Sequence, residues 1–191
     1  AWEMVALSPQ FIEKMIPIGG DWKSSDWMIA NTYIQKQILD SNPKPIEIAR
    51  MHAMMCYRTP QSFKLRFNRT INKELGVFNV QSWLMYHGDK LKERFSLQAY
   101  KTMNHLLGSI DITRNGKSFE ENIQNIQSEI HIVSIDSDLF FPLDEDIETV
   151  TLAQKAGVKI KHHVIESEFG HDAFLMEPKK VKVILEKILN Q

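Results

Sequence analysis

Two apolar segments of strand length near the end of the chain, one at residues 130–135 and one in which Val158, Ile160, His162 and Val164 alternate with Lys159, Lys161 and His163, flank a helical stretch at about residues 144–156. A strand, a helix and a second strand in succession point to parallel pairing, and parallel strands are covered on both faces. The predicted fold class is therefore α/β. The helix between the strands is acidic at its N-terminus, as the helix dipole favours, and Gly157 stops it. Pro178 at a first-turn position opens a final amphipathic helix through Val181, Ile184, Leu185 and Ile188.

A third strand is predicted at residues 15–18, where Met15-Ile16-Pro17-Ile18 runs into Gly19-Gly20 after a short helix at residues 1–7. Three strands are fewer than such sheets usually hold, so the expectation is one part of a larger sheet. The intervening residues read as helices with no strand. Ser24 or Ser25 caps a helix whose apolar face includes Trp27, Ile34 and Ile38. Pro45 opens the next, carrying Ile48, Met51, Met55 and Tyr57 up to Thr59-Pro60. Val80, Trp83, Leu84, His87 and Leu91 repeat at helical spacing, and Ser96 caps a helix through Tyr100, Met103 and Leu107. The expected organisation is a helix and strand of the α/β core at 1–20, an inserted helical lid subdomain at 21–112, and a C-terminal part of the core at 113–191.

Composition narrows the function classes. A formal net charge of −1 and the lack of a long Lys/Arg block leave no electrostatic footprint for nucleic acid or an anionic membrane surface. No apolar run approaches the roughly 20 residues of a membrane-spanning helix. The single Cys56 has no partner within the chain, which fits a reducing compartment, and a cytoplasmic location is expected. His52, His87, His105 and His131 stand apart without metal-ligand spacing, and adjacent His162 and His163 point to opposite faces of a strand, so no metal site is expected.

The chemistry is carried by two loops. Asp138 follows one strand, in Ile135-Asp136-Ser137-Asp138-Leu139-Phe140-Phe141-Pro142, and His171 follows the next, in Phe169-Gly170-His171-Asp172-Ala173-Phe174. Strand C-terminal ends are where open α/β sheets place their sites. Taken singly, an Asp after a strand caps a turn and a loop His makes a structural hydrogen bond. Taken together, an acid after one strand and a histidine after the next are the second and third members of the order Ser…Asp…His. In that arrangement the imidazole takes the serine proton and the carboxylate fixes its tautomer.

These motifs resemble those of the homoserine O-acetyltransferases, within the α/β-hydrolase superfamily. Besides the acid and histidine motifs, two lid segments carry the resemblance: Ala49-Arg50-Met51 leading to Tyr57-Arg58-Thr59-Pro60, and Phe78-Asn79-Val80-Gln81-Ser82-Trp83-Leu84 leading to Gly88-Asp89-Lys90 and Arg94-Phe95. The resemblance implies that Asp138, rather than Asp136, is the triad acid and His171 the general base. It also implies that Arg50 grips the homoserine carboxylate, Tyr57 lines the site and Asp172 receives the ammonium group. Cys56 departs from the threonine common at its position in the family. The larger departure is the nucleophile elbow, a Gly-x-Ser-x-Gly turn, which occurs nowhere in the 191 residues.

The resemblance implies transfer of an acetyl group from acetyl-CoA to the hydroxyl of L-homoserine through an acyl-serine, in methionine biosynthesis, with acetyl-CoA as co-substrate and no permanently bound cofactor. The serine is expected several residues before Ala1, on an N-terminal half of the same gene product, so that this chain alone is inactive. A homodimer through the lid helices is implied as well. Alternative readings are a homoserine O-succinyltransferase, an α/β-hydrolase esterase, and a non-catalytic binding module on the same fold.

Overall fold

The strand–helix–strand segment takes the expected form in the computed structural model, which describes residues 1–190. In chain order the elements are α1 (Trp2–Leu7), β1 (Lys14–Met15), α2 (Asp26–Ser41), α3 (Pro45–Tyr57), α4 (Pro60–Phe67), β2 (Ile71–Asn72), β3 (Val77–Phe78), α5 (Asn79–Arg94) and α6 (Leu97–Gly108). They continue with α7 (Phe119–Asn125), β4 (Glu129–Ile135), α8 (Leu143–Lys155), β5 (Ile160–Ile165), a 3-10 turn (Gly170–Asp172), α9 (Ala173–Met176) and α10 (Pro178–Leu189).

β1, β4 and β5 form one parallel sheet with β4 in the middle, in register from Ile130 opposite Ile160 to Ile135 opposite Ile165. Side chains alternate between its faces. Ile130 and Ile132 join Trp2, Val5, Ile123 and Ala153 on one side, while Val133 and Ile135 join Ile165, Ala173 and Ile188 on the other. Both faces are covered by helices, as parallel pairing requires. β1 is shorter than the predicted strand because Pro17 has no N–H to donate. Pairing nevertheless continues past it: Val133 N–H donates to Pro17 O at 2.9 Å, and Gly19 N–H donates to Val133 O at 3.0 Å.

Helix starts follow local chemistry. Thr59 and Ser96 cap α4 and α6 by accepting from Ser62 N–H and Ala99 N–H, and Ser118 and Glu121 form a reciprocal capping box on α7. Of the two candidates at the start of α2, Ser25 is the cap; Ser24 instead donates to Leu107 O at 2.6 Å.

The segment between β1 and α7 departs from expectation in two ways. It is not wholly helical: β2 and β3 pair antiparallel across the turn at residues 73–76, a hairpin too short for any periodicity to reveal. The inward faces also differ. Trp27 and Ile34 of α2 and Met55 of α3 are about half exposed, whereas α2 buries Met28, Asn31, Thr32, Gln35 and Leu39. Amides and a thiol share the interior there with Met28, Leu39, Ile46 and Met54. Gln35 Nε2 donates to Ala49 O at 3.0 Å, Asn104 Nδ2 donates to Thr32 O at 2.9 Å, and the Cys56 thiol donates to Asn31 Oδ1 at 3.0 Å. Hydrophobic spacing could not find a face built from hydrogen-bonded polar groups. No described helix is long and apolar enough to cross a membrane.

Candidate active site

The loop after β4 is shaped by Asp138 itself. Its Oδ1 accepts from Phe140 N–H at 2.7 Å and Phe141 N–H at 2.9 Å, an Asx-type turn that immobilises the carboxylate. Its Oδ2 then faces His171 Nδ1 at 2.8 Å. The Asp138 side chain is fully buried and that of His171 is 14 % exposed. Because the carboxylate accepts only, Nδ1 carries the imidazole proton, and Nε2 is left as the basic nitrogen.

Three further contacts hold the β4 loop to the His171 loop. Ser167 N–H donates to Asp136 Oδ1 at 2.8 Å, Gly170 N–H donates to Ser137 Oγ at 3.1 Å, and the Ser137 hydroxyl donates to Ser167 O. Asp136 thus orders the turn, and Asp138 is the acid that meets the imidazole.

Glycine is required at two positions around the pair. Gly19 has φ +54°, and a Cβ there would lie 3.0 Å from His171 Cε1 and 3.4 Å from Asp138 Oδ2. The turn after β1 therefore forms one wall of the pair, and only a residue without a side chain fits. Gly170 has φ +65°, and a Cβ there would lie 3.0 Å from Tyr57 O. That close approach lets the C-terminal end of α3 seat on the histidine turn, where Thr59 Oγ1 also donates to Glu168 O at 2.5 Å.

Aromatic rings surround the imidazole: Tyr57, Phe140, Phe141 and Phe174 have centroids 5.3 to 5.6 Å from it. The Arg50 guanidinium lies over the Tyr57 ring at 5.4 Å, and burial pushes the Tyr57 hydroxyl up. Tyr57 and Phe140 also line a cavity of about 210 Å³ shared with Asn31, Gln35, Cys56 and Tyr100.

Asp172 follows His171 in the same turn. Burial raises its carboxyl above the usual range, opposed by the charges of Arg58, His171 and Arg50. Arg58 Nε lies 3.3 Å from Asp172 Oδ2. The five residues singled out from sequence, Asp138, His171, Arg50, Tyr57 and Asp172, are thus brought to one locus. Gly19 and Arg58 join them there. Gly19 had been read only as a turn, and Arg58 stood unassigned inside the Tyr57-Arg58-Thr59-Pro60 block.

The other histidines lie elsewhere. His162 Nε2 is 2.7 Å from Ser134 Oγ, which donates to Asp146 Oδ2 at 2.5 Å, while on the opposite face His131 and His163 stack 3.1 Å apart, Nδ1 to Nε2. No cluster of three or more metal-ligating side chains occurs among the described residues.

Curated sequences and solved structures are similar to this chain along nearly its whole length. Homoserine O-acetyltransferase from Chloroherpeton thalassium is 34% identical over 93% of this chain and 49% of its own length. The chain is a homologue of the homoserine O-acetyltransferases. Its fold is that of the crystal structure of homoserine O-acetyltransferase from Bacillus anthracis, with TM-score 0.86 over 99% of this chain and 56% of that one at 17% identity. Esterase E22 shares the fold too, with TM-score 0.78 over 91% of this chain and 53% of that one at 12% identity. This is the α/β-hydrolase fold, in its C-terminal part. No family model matches the chain. The chain spans about half the length of the curated relatives it matches.

Proposed function

We propose that this chain supplies the acid, the base and the acceptor subsite of a homoserine O-acetyltransferase. The nucleophilic serine comes from a segment outside these 191 residues. The observation that carries the reading is the buried 2.8 Å pair of Asp138 and His171 with the Asp172 carboxylate in the same turn. It is supported by the homology and by the absence of any Gly-x-Ser-x-Gly sequence here.

In this mechanism His171 Nε2 takes the serine hydroxyl proton as the serine oxygen attacks the acetyl-CoA thioester carbonyl. The C–S bond breaks, and the proton passes from Nε2 to the departing sulfur, leaving CoA thiol and acetyl-serine. The homoserine hydroxyl then gives its proton to Nε2 and attacks the acetyl carbonyl. The bond between the acetyl carbonyl carbon and the serine oxygen breaks, Nε2 returns the proton to serine, and O-acetylhomoserine is released. Asp138 stabilises the imidazolium at each stage without taking a proton. Arg50 pairs with the homoserine carboxylate, Tyr57 lines the site and Asp172 receives the ammonium group, so that the hydroxyl outcompetes water by position.

In this reading the enzyme serves methionine biosynthesis in the cytoplasm, and two copies associate through the lid. Exposed Tyr33 and Ile34 of α2 and Met85 and Tyr86 of α5 supply apolar surface for that contact. The test is CoA release by the complete protein from acetyl-CoA and from succinyl-CoA, with and without homoserine. Homoserine-dependent release from acetyl-CoA is expected. Preference for succinyl-CoA would make it a succinyltransferase. Release indifferent to homoserine would favour an esterase, the second reading, for which the likeness in fold to esterase E22 speaks.

A further inference from the structure

Arg58 is an arginine whose environment asks for an explanation. Its side chain is 7% exposed, its Nη1 is buried with no hydrogen-bond partner among the described residues, and its guanidinium lies 5.5 Å over the Phe169 ring. Burying a guanidinium is costly, and leaving one of its donors unbonded adds to the cost. A methionine or leucine would pack against Phe169 without that penalty. What arginine adds is one directed contact: Nε to Asp172 Oδ2 at 3.3 Å.

The contact is fixed from both ends. Arg58 directly follows α3 and precedes the Thr59 cap of α4, whose hydroxyl ties the junction to Glu168. Asp172 is held in the 3-10 turn with His171, seated against the Tyr57 and Arg58 backbone through Gly170. Asp172 is therefore not free to swing, and one of its oxygens is taken by a charge that cannot be deprotonated at ordinary pH.

We propose that Arg58 is a positioning residue: its ion pair with Asp172 fixes that carboxylate, in its charged form, beside His171 in the orientation that receives the acceptor's ammonium group. This rests on the acceptor subsite of the proposed function. In this role Arg58 acts through Asp172, its ion-pair partner, and not on the acceptor directly.

The test uses the complete protein, this chain joined to its serine-bearing segment, with homoserine as the probe and four variants: Arg58→Gln, Arg58→Lys, Asp172→Asn and the double variant Arg58→Gln/Asp172→Asn. Arg58→Gln is expected to raise the homoserine KM by about 10- to 100-fold with a smaller change in kcat, as loss of one partner of a buried charge pair does. The acid limb of its kcat/KM profile for homoserine moves to higher pH, because Asp172 loses an opposing charge while burial still raises it. Arg58→Lys restores part of the KM. The double variant falls within about twofold of Asp172→Asn alone, since the arginine acts only through that carboxylate.

A KM within about twofold of wild type for Arg58→Gln, or losses that multiply in the double variant, would overturn the proposal while leaving the acceptor subsite in place. An Asp172→Asn variant with unchanged homoserine KM would overturn the subsite itself and the proposal with it. If Arg58→Gln does not fold, Arg58→Lys alone and combined with Asp172→Asn gives the same cycle.

Discussion

The two halves of the site are built from different materials. The loops after β4 and β5 stand on a sheet whose faces are filled by isoleucine, valine and alanine, and they are joined by backbone-anchored hydrogen bonds. The helical region that brings Arg50 and Tyr57 sets hydrogen-bonded amides and a thiol beside Met28, Leu39 and Met54 in its interior, and it turns several large apolar side chains outward. Apolar packing is non-directional and strong, which suits a platform that must not move. Hydrogen-bonded polar groups fix orientation and are costly to misplace, which suits helices that must present particular side chains at particular angles. On the proposed function the platform handles protons and, through Asp172, the acceptor's ammonium group, and the helical region handles the acceptor's carboxylate.

The sharpest way to break that division is at Asp138. Asp138→Asn in the complete protein keeps the Asx turn but presents an amide to Nδ1, and kcat should fall by about 10⁴-fold with the homoserine KM little changed. A large KM effect would show that Asp138 itself also helps to bind the acceptor. Next is Gly19→Ala, whose Cβ would crowd His171 Cε1 at 3.0 Å in a left-handed backbone. Displacing the imidazole by a fraction of an ångström should cost about 100-fold in kcat/KM; full activity would mean that the β1 turn is not a wall of the site. Arg50→Ala works from the other side and should raise the homoserine KM by about tenfold or more while sparing kcat. An unchanged KM would remove Arg50 from the acceptor subsite.

The smallest effect is a slope. Burial, against the Ser134 hydrogen bond, pushes the Asp146 carboxyl from 3.8 up to about 6, with the Asp138 charge contributing. The folded state thus holds this proton more tightly than the unfolded chain. The corresponding stability is fully present below pH 3.8 and lost as pH rises through about 6. Asp146→Asn should therefore gain Tm relative to wild type as pH rises across that window and show a constant difference above it. Asn104→Ala in α6 breaks a bond between uncharged groups, and its Tm shift should not depend on pH. Parallel behaviour of the two variants would erase the contrast.

The same contrast explains what could be read from the chain. The platform was legible because apolar strands announce themselves by alternation and brevity, and because an acid after one strand and a histidine after the next, each ordinary alone, form a meaningful order together. Asp138 and His171 were placed without coordinates, and the structure sets them 2.8 Å apart. Packing inside the helical region was not legible. The face of α2 expected from Trp27, Ile34 and Ile38 is partly solvent-facing, because Asn31, Thr32 and Gln35 fill the interior with paired polar atoms that leave no hydrophobic signature. The β2–β3 hairpin pairs only two residues on each strand. Arg58 was hidden by its neighbour: Tyr57 supplied a reason for the motif, and only the fold shows the next residue turning back to meet Asp172.

The pairing of Asp138 with His171 across 33 residues, set beside the link of Thr59 to Glu168 across 109, bears on the order of assembly. The first closes within a single strand–helix–strand unit. The second must draw in the far end of α3, and the longer closure costs about 1 kcal/mol more in chain entropy. By closure entropy alone, the acid and base are the nearer neighbours along the chain, and the α3 end that carries Tyr57 and Arg58 is the costlier part to bring to them.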